Sequence, residues 1–129
     1  MTRRAKHKGF SLLELMVAIA ILGISLTALY QAVSGASRSA RASERYVYAT
    51  QLAQSVLALY QRVPTTGMND SGSTDSGFEW FVEAWPYESQ SPTMEPGLLQ
   101  RITVTVVYDD SDSRRNIVLD SVVEGYVEQ

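Results

Sequence analysis

The stretch FSLLELMVAIAILGISLTALYQAV, Phe10 to Val33, constrains this chain more than any other part of it. Its only charge is Glu14, and the next charged residue is Arg38. As a helix rising about 1.5 Å per residue it would reach roughly 36 Å, enough to cross a hydrocarbon core of about 30 Å. Arg3, Arg4, Lys6 and Lys8 precede it. Under the positive-inside rule this basic cluster keeps the N-terminus in the cytoplasm and sends the rest across the membrane. An ordinary secretory signal has an apolar stretch of about 7–15 residues and then a small-residue cleavage site. Here the stretch is longer, and its far end, Tyr30 to Val33, carries no convincing A-x-A site. A plain signal anchor would explain the flank and the span, but not Glu14.

A carboxylate inside a membrane segment costs about 3 kcal/mol on insertion scales, and such groups persist when they have a partner. Cutting after Gly9 would free an amine on Phe10, one helical turn before Glu14. That new cation would pair with Glu14 of the same chain or of a neighbour. One buried ion pair would then set the register of a subunit docking into a filament.

The same cut removes His7, the sole histidine, from a chain that has no cysteine. What remains lacks the side chains for His-based triads, Cys nucleophiles and the usual zinc sites. No enzyme activity, cofactor or metal site is therefore expected. The cut also takes four of the eleven basic residues and leaves seven against fourteen acidic ones. Nucleic-acid binding wants a basic footprint, which this balance denies. No phosphate-binding glycine loop occurs either, so any ATP hydrolysis belongs to another protein.

Beyond the span no proline occurs before Pro64. Ala49, Leu52, Ala53, Val56, Leu59, Tyr60 and Val63 recur at spacings of three and four, which predicts one helix from Phe10 to about Val63. Arg38, Arg41 and Arg45 lie on its polar side, facing lipid headgroups, acidic neighbours or simply water. Pro64 to Gly77 (PTTGMNDSGSTDSG) reads as a loop. Phe78 to Trp85 reads as a strand, and Pro86 to Pro96 as a connector. Arg101 to Tyr108 (RITVTVVY) alternates, with Ile102, Val104, Val106 and Tyr108 on one face. A turn over Asp109 to Ser113 then leads to a returning strand over Asn116 to Val123, giving a β-hairpin.

The expected fold class is α+β: a long N-terminal α-helix, its first half membrane-spanning and its second amphipathic, packed on a small antiparallel β-sheet. The expected segments are a leader over 1–9, a transmembrane helix over 10–33, the outer half of the helix over 34–63 and a sheet domain over 64–129. Three acidic groupings invite chemistry. Glu79 and Glu83 share a strand face and suggest glycosidase-like acid and base, which nothing else supports. Asp70 with Asp75, and Asp109 with Asp110 and Asp112, suggest a cation, but no EF-hand spacing is present and solvated turns explain them.

Gly9-Phe10-Ser11-Leu12-Leu13-Glu14, set between a basic leader and an apolar helix, resembles the class III leader of type IV pilins and type II secretion pseudopilins. The resemblance implies that a prepilin peptidase cuts between Gly9 and Phe10 and methylates the new amine of Phe10. It also implies a role for Glu14 in assembly. The chain is short, keeps Glu14 and lacks the cysteine pair common in type IV pilins. Its order of helix, loop, tryptophan-containing strand, connector, R-I-T-V-T-V-V-Y and R-N-I-V-L resembles the I-type minor pseudopilins. That likeness implies a structural subunit of the pseudopilus tip complex, which starts filament assembly and supports export of folded periplasmic proteins. It implies J-, K- and H-type minor pseudopilins as partners, and a single-pass inner-membrane location with a cytoplasmic N-terminus and a periplasmic C-terminal domain. Two alternatives stay open: a minor pilin of a type IV pilus, and an uncleaved bitopic membrane protein that binds a periplasmic ligand.

Overall fold

The computed structural model describes residues 9–88 and 93–128. The basic leader cluster, His7 and the middle of the Pro86–Pro96 connector lie outside the described residues. The fold is α+β: α1 spans Leu12–Leu59, and five strands follow, β1 Arg62–Pro64, β2 Met68–Ser73, β3 Phe78–Pro86, β4 Leu99–Asp110 and β5 Ser113–Tyr126. The chain divides into two compact units, Met1–Arg41 and Ala42–Gln129.

The first unit contributes helix alone. Ser11 caps it: its side-chain Oγ accepts from the Glu14 backbone N–H at 3.2 Å, and its carbonyl accepts from Leu15 N at 3.2 Å. Within the apolar stretch, hydroxyls turn back onto the helix. Ser25 Oγ donates to the Ile21 carbonyl at 2.8 Å and Thr27 Oγ1 to that of Gly23 at 2.9 Å. Those polar groups are thus satisfied without help from water. No large apolar side chain here is covered: Val17, the least exposed of them, is 50% exposed. Such a helix needs lipid or other helices around it, and its apolar window is long enough to cross a membrane.

In the second unit the helix becomes one-sided. Ala49, Ala53 and Val56 are buried against the sheet, joined by Val63, Val82, Ile102, Val104 and Val106. Small residues on the helix face let it lie close to the strands, while β-branched residues fill the sheet side. The strand order is β1-β5-β4-β3-β2. Every pairing is antiparallel except β1 with β5, which is parallel. The alternation expected for Arg101 to Tyr108 is present, with Ile102, Val104, Val106 and Tyr108 all buried. At one end of the core three rings pack in series, the first pair tilted and the second stacked. Tyr48 meets Phe78 at 4.7 Å and Phe78 meets Tyr108 at 5.2 Å between centroids, and the Arg45 guanidinium lies over Phe78 at 5.2 Å.

Three expectations are corrected in detail. The helix stops at Leu59 and not at Val63, with the Tyr60 N–H closing a last turn on the Leu57 carbonyl at 3.2 Å. Pro64 disfavours helical geometry at the residue before it, and Val63 reaches the same core from a strand, fully buried, beside Gly125 of β5. The presumed loop from Pro64 to Gly77 contains β2, whose six residues pair with β3 from Ser73↔Glu79 to Met68↔Ala84. The hairpin is longer than its alternation showed: β4 and β5 pair from Leu99↔Glu124 to Asp110↔Ser113, so only Ser111 and Asp112 make the turn.

Candidate functional site

Gly9 and Phe10 lie just ahead of α1 and outside it, both exposed, Phe10 at 86%. A peptide bond outside the helix is free of the i→i−4 ladder, so a protease can take it in extended form without melting a turn. Glu14 occupies the third position of α1, one turn after Phe10. The two line one shallow groove together with Ser11, Leu12, Leu15 and Ala18. Apart from Glu14 and the Ser11 hydroxyl, that groove is apolar, so a charge placed there meets little competition from other polar groups.

Ser11 belongs to this site as well, and the sequence carries the signal for it. Ser-x-x-Glu just before an apolar run is the capping-box spacing, and the Ser11 half of the box is formed. Glu14 therefore stands where it can serve the helix start as well as a partner cation. Its carboxylate also sits by the positive end of the helix dipole, which favours an anion in the first turn.

The other acidic groupings do not gather into sites. Glu79 takes the Arg114 guanidinium at 2.5 Å, whereas Glu83 lies four residues along the same outer face, opposite Thr103. Asp110 accepts from Ser111 N at 2.9 Å and from Arg115 Nε at 3.1 Å, so its carboxylate is already engaged. Among the described residues no three acidic or histidine side chains cluster as a metal would need. Asp70 instead accepts the Tyr60 hydroxyl, joining the end of α1 to β2, and also Ser71 N at 2.8 Å. The Tyr60 hydrogen bond, then that of Ser71, holds the Asp70 carboxyl below the usual carboxylate range. The same bond, then burial and the Asp70 charge, raises the Tyr60 phenol above its ordinary value.

A family model described as the prokaryotic N-terminal methylation motif matches residues 4–30, a range that holds Gly9, Phe10, Ser11 and Glu14. Over 120 residues the chain is 35% identical to the type II secretion system protein I of Xanthomonas campestris pv. campestris, covering 85% of this chain and 86% of that protein. No solved structure matches the chain.

Proposed function

This chain belongs to the type II secretion system protein I family, the I-type minor pseudopilins, and we propose that it acts at the tip of the pseudopilus, where filament assembly starts. Membership brings with it a pseudopilus of related subunits, processing by a prepilin peptidase and a single-pass place in the inner membrane. The identity covers 85% of the chain and so extends through the sheet unit, beyond the N-terminal motif that secretion pseudopilins share with type IV pilins. That extent favours the secretion system over a type IV pilus. The J-, K- and H-type minor pseudopilins are the partners proposed for it, with the sheet unit in the periplasm and the leader in the cytoplasm.

The proposed mechanism is mechanical, not catalytic. Cutting between Gly9 and Phe10 creates an amine, which methylation leaves cationic. The amine then pairs with Glu14, of the same chain or of the preceding subunit, as the helix passes from lipid into a bundle of helices. The observation that carries this is the exposed Phe10 and Glu14 on one apolar groove. In lipid or among helices a paired charge is retained where an unpaired one is expelled, so the pair rewards one docking register and penalises the others.

Two substitutions at Glu14 separate pairing from capping. Glutamine completes a capping box as glutamate does, but carries no charge. Glu14→Gln should leave cutting after Gly9 intact and still reduce assembly as strongly as Glu14→Ala. Losing a hydrogen bond to a charged group costs about 1.5–3 kcal/mol, hence about tenfold or more in docking affinity. The measurement is the yield of pseudopili, or of secreted protein, in cells carrying each variant at equal levels. Normal yield with glutamine and loss with alanine would assign Glu14 to the helix cap and sink the pairing.

A further inference from the structure

The two edges of the sheet are built differently. At one edge stands β2, six residues of sequence MNDSGS, polar and short, the kind of edge that resists adding another strand. The other edge belongs to β5. It runs for fourteen residues, but β1 pairs only with its end, Arg62↔Glu124 to Pro64↔Tyr126. From Ser113 to Val123, β5 has a neighbour on the β4 side and, among the described residues, none on the other.

The direction of the free backbone groups follows from two hydrogen bonds. Gly125 N donates to the Leu98 carbonyl at 2.7 Å, on the β4 side, and Thr65 N donates to the Tyr126 carbonyl at 3.0 Å, on the β1 side. Along a regular strand the N–H and C=O of one residue point the same way, and successive residues alternate. The register with β4 is unbroken from Ser113 to Glu124, so no bulge resets that parity. Arg114, Asn116, Val118, Asp120 and Val122 therefore aim both backbone groups at the open edge.

Past Arg114 and Arg115 this edge offers little that repels a new strand. The stretch has no proline, lysine or glycine, and it carries Ile117, Val118, Leu119, Val122 and Val123. Its charges are drawn elsewhere. Asp120 accepts the Thr103 hydroxyl at 2.5 Å with Arg101 at 3.7 Å, Arg114 is held by Glu79, and Arg115 by Asp110. On the outer face, turned away from α1, Val118 and Val122 are about half exposed, in cross-strand rows with Phe81 and Trp85 at 43% each.

Charge narrows what fits. Arg62, Arg101, Arg114 and Arg115 each already face a carboxylate. Glu83, two strands in from the edge, and Asp109, one strand in, have no cationic partner among the described residues, and Glu83 shares a cross-strand row with Thr103 and Asp120, which brings a carboxylate to β5 itself. We propose that the free edge of β5 takes up an extended, basic segment of another polypeptide as a sixth strand, with lysine or arginine on the positions that lie over the outer face and β-branched residues between. Backbone bonds would supply affinity and the acidic outer face selectivity, as in strand-addition recognition generally. The assignment does not depend on cutting at Gly9.

The test uses the full chain in zwitterionic detergent micelles and two synthetic peptides, one alternating lysine with valine and one alternating glutamate with valine. The lysine peptide should bind about tenfold or more tightly than the glutamate peptide, and added salt should narrow the gap. Val118→Pro removes an edge-facing N–H without touching the β4 ladder, and should weaken the lysine peptide about tenfold while circular dichroism stays unchanged. Because the chain has no cysteine, crosslinking gives a second reading that does not need the proline variant to fold. A cysteine-bearing lysine peptide should form a disulfide with Val122→Cys, and not with Ser71→Cys on the opposite edge. Equal binding of both peptides, or equal crosslinking at both edges, would overturn the proposal. So would Val122→Cys coupling to itself in preference to the peptide, which would make a second copy the occupant.

Discussion

Asp70 and Tyr60 show how a single residue pair makes the fold sensitive to pH. Asp70 reads in the sequence as part of a polar loop, yet in the fold it accepts the Tyr60 hydroxyl where α1 gives way to the sheet. Its carboxyl is held below the usual range, so the stability it contributes is present above that range and lost as pH falls through the lowered value. Tyr60 has the opposite sign: its phenol is raised, so its contribution is present below the ordinary phenol value and lost as pH climbs through the raised one. Tyr60→Phe should lower the thermal midpoint at neutral pH, and the difference from the unaltered chain should shrink in acid once Asp70 is protonated. Thermal melts at the two pH values check this; a difference that stays constant into acid would remove Asp70 from the account.

At the scale of elements, Gln100 holds three pieces of chain together. It is fully buried at the start of β4, and its Nε2 donates to the Thr65 carbonyl at 2.9 Å and the Gly97 carbonyl at 3.0 Å. The packing there is close. A Cβ on Gly125 would collide with the Gly97 carbonyl, so β5 can pass under the connector only with glycine at that position. Gln100→Leu keeps the volume but strands two carbonyls, which should cost about 1–3 kcal/mol in a denaturant titration. Alternation carried back from Ile102 puts Gln100 on the inward face, but its polarity alone reads as a solvent position, and only the Thr65 and Gly97 carbonyls beside it explain why it is buried. The same limit hid β2: MNDSGS has the composition of a loop, and only pairing with β3 makes it a strand. The helix end is ambiguous in sequence for a related reason, since Val63 continues the helical spacing and also fits an inward strand position.

For the molecule as a whole, the two units answer to different surroundings. The first presents an uncovered apolar helix whose environment must come from lipid or neighbouring subunits. The second covers its own core with the second part of α1. Leader removal bears on the first unit only, because all four leader cations and His7 precede Gly9. Membrane-extracted protein should therefore have the mass of Phe10 to Gln129 plus one methyl group. An intact mass that retains Met1–Gly9 would remove the Phe10 amine and with it the proposed partner of Glu14.

By itself the sequence determined the parts whose physics is local. Twenty-four uncharged or nearly uncharged residues after a basic cluster specify a span, and Gly9, Phe10 and Glu14 can be read in order along one segment. Strict alternation likewise marked the buried face of β4. The tertiary structure alone decided where α1 ends, that β1 lies parallel to β5, that β2 closes one edge and that β5 leaves the other open. Periodicity states which side of an element meets an apolar medium. It does not state which distant backbone will satisfy that element's hydrogen bonds, and in a sheet this choice settles every edge.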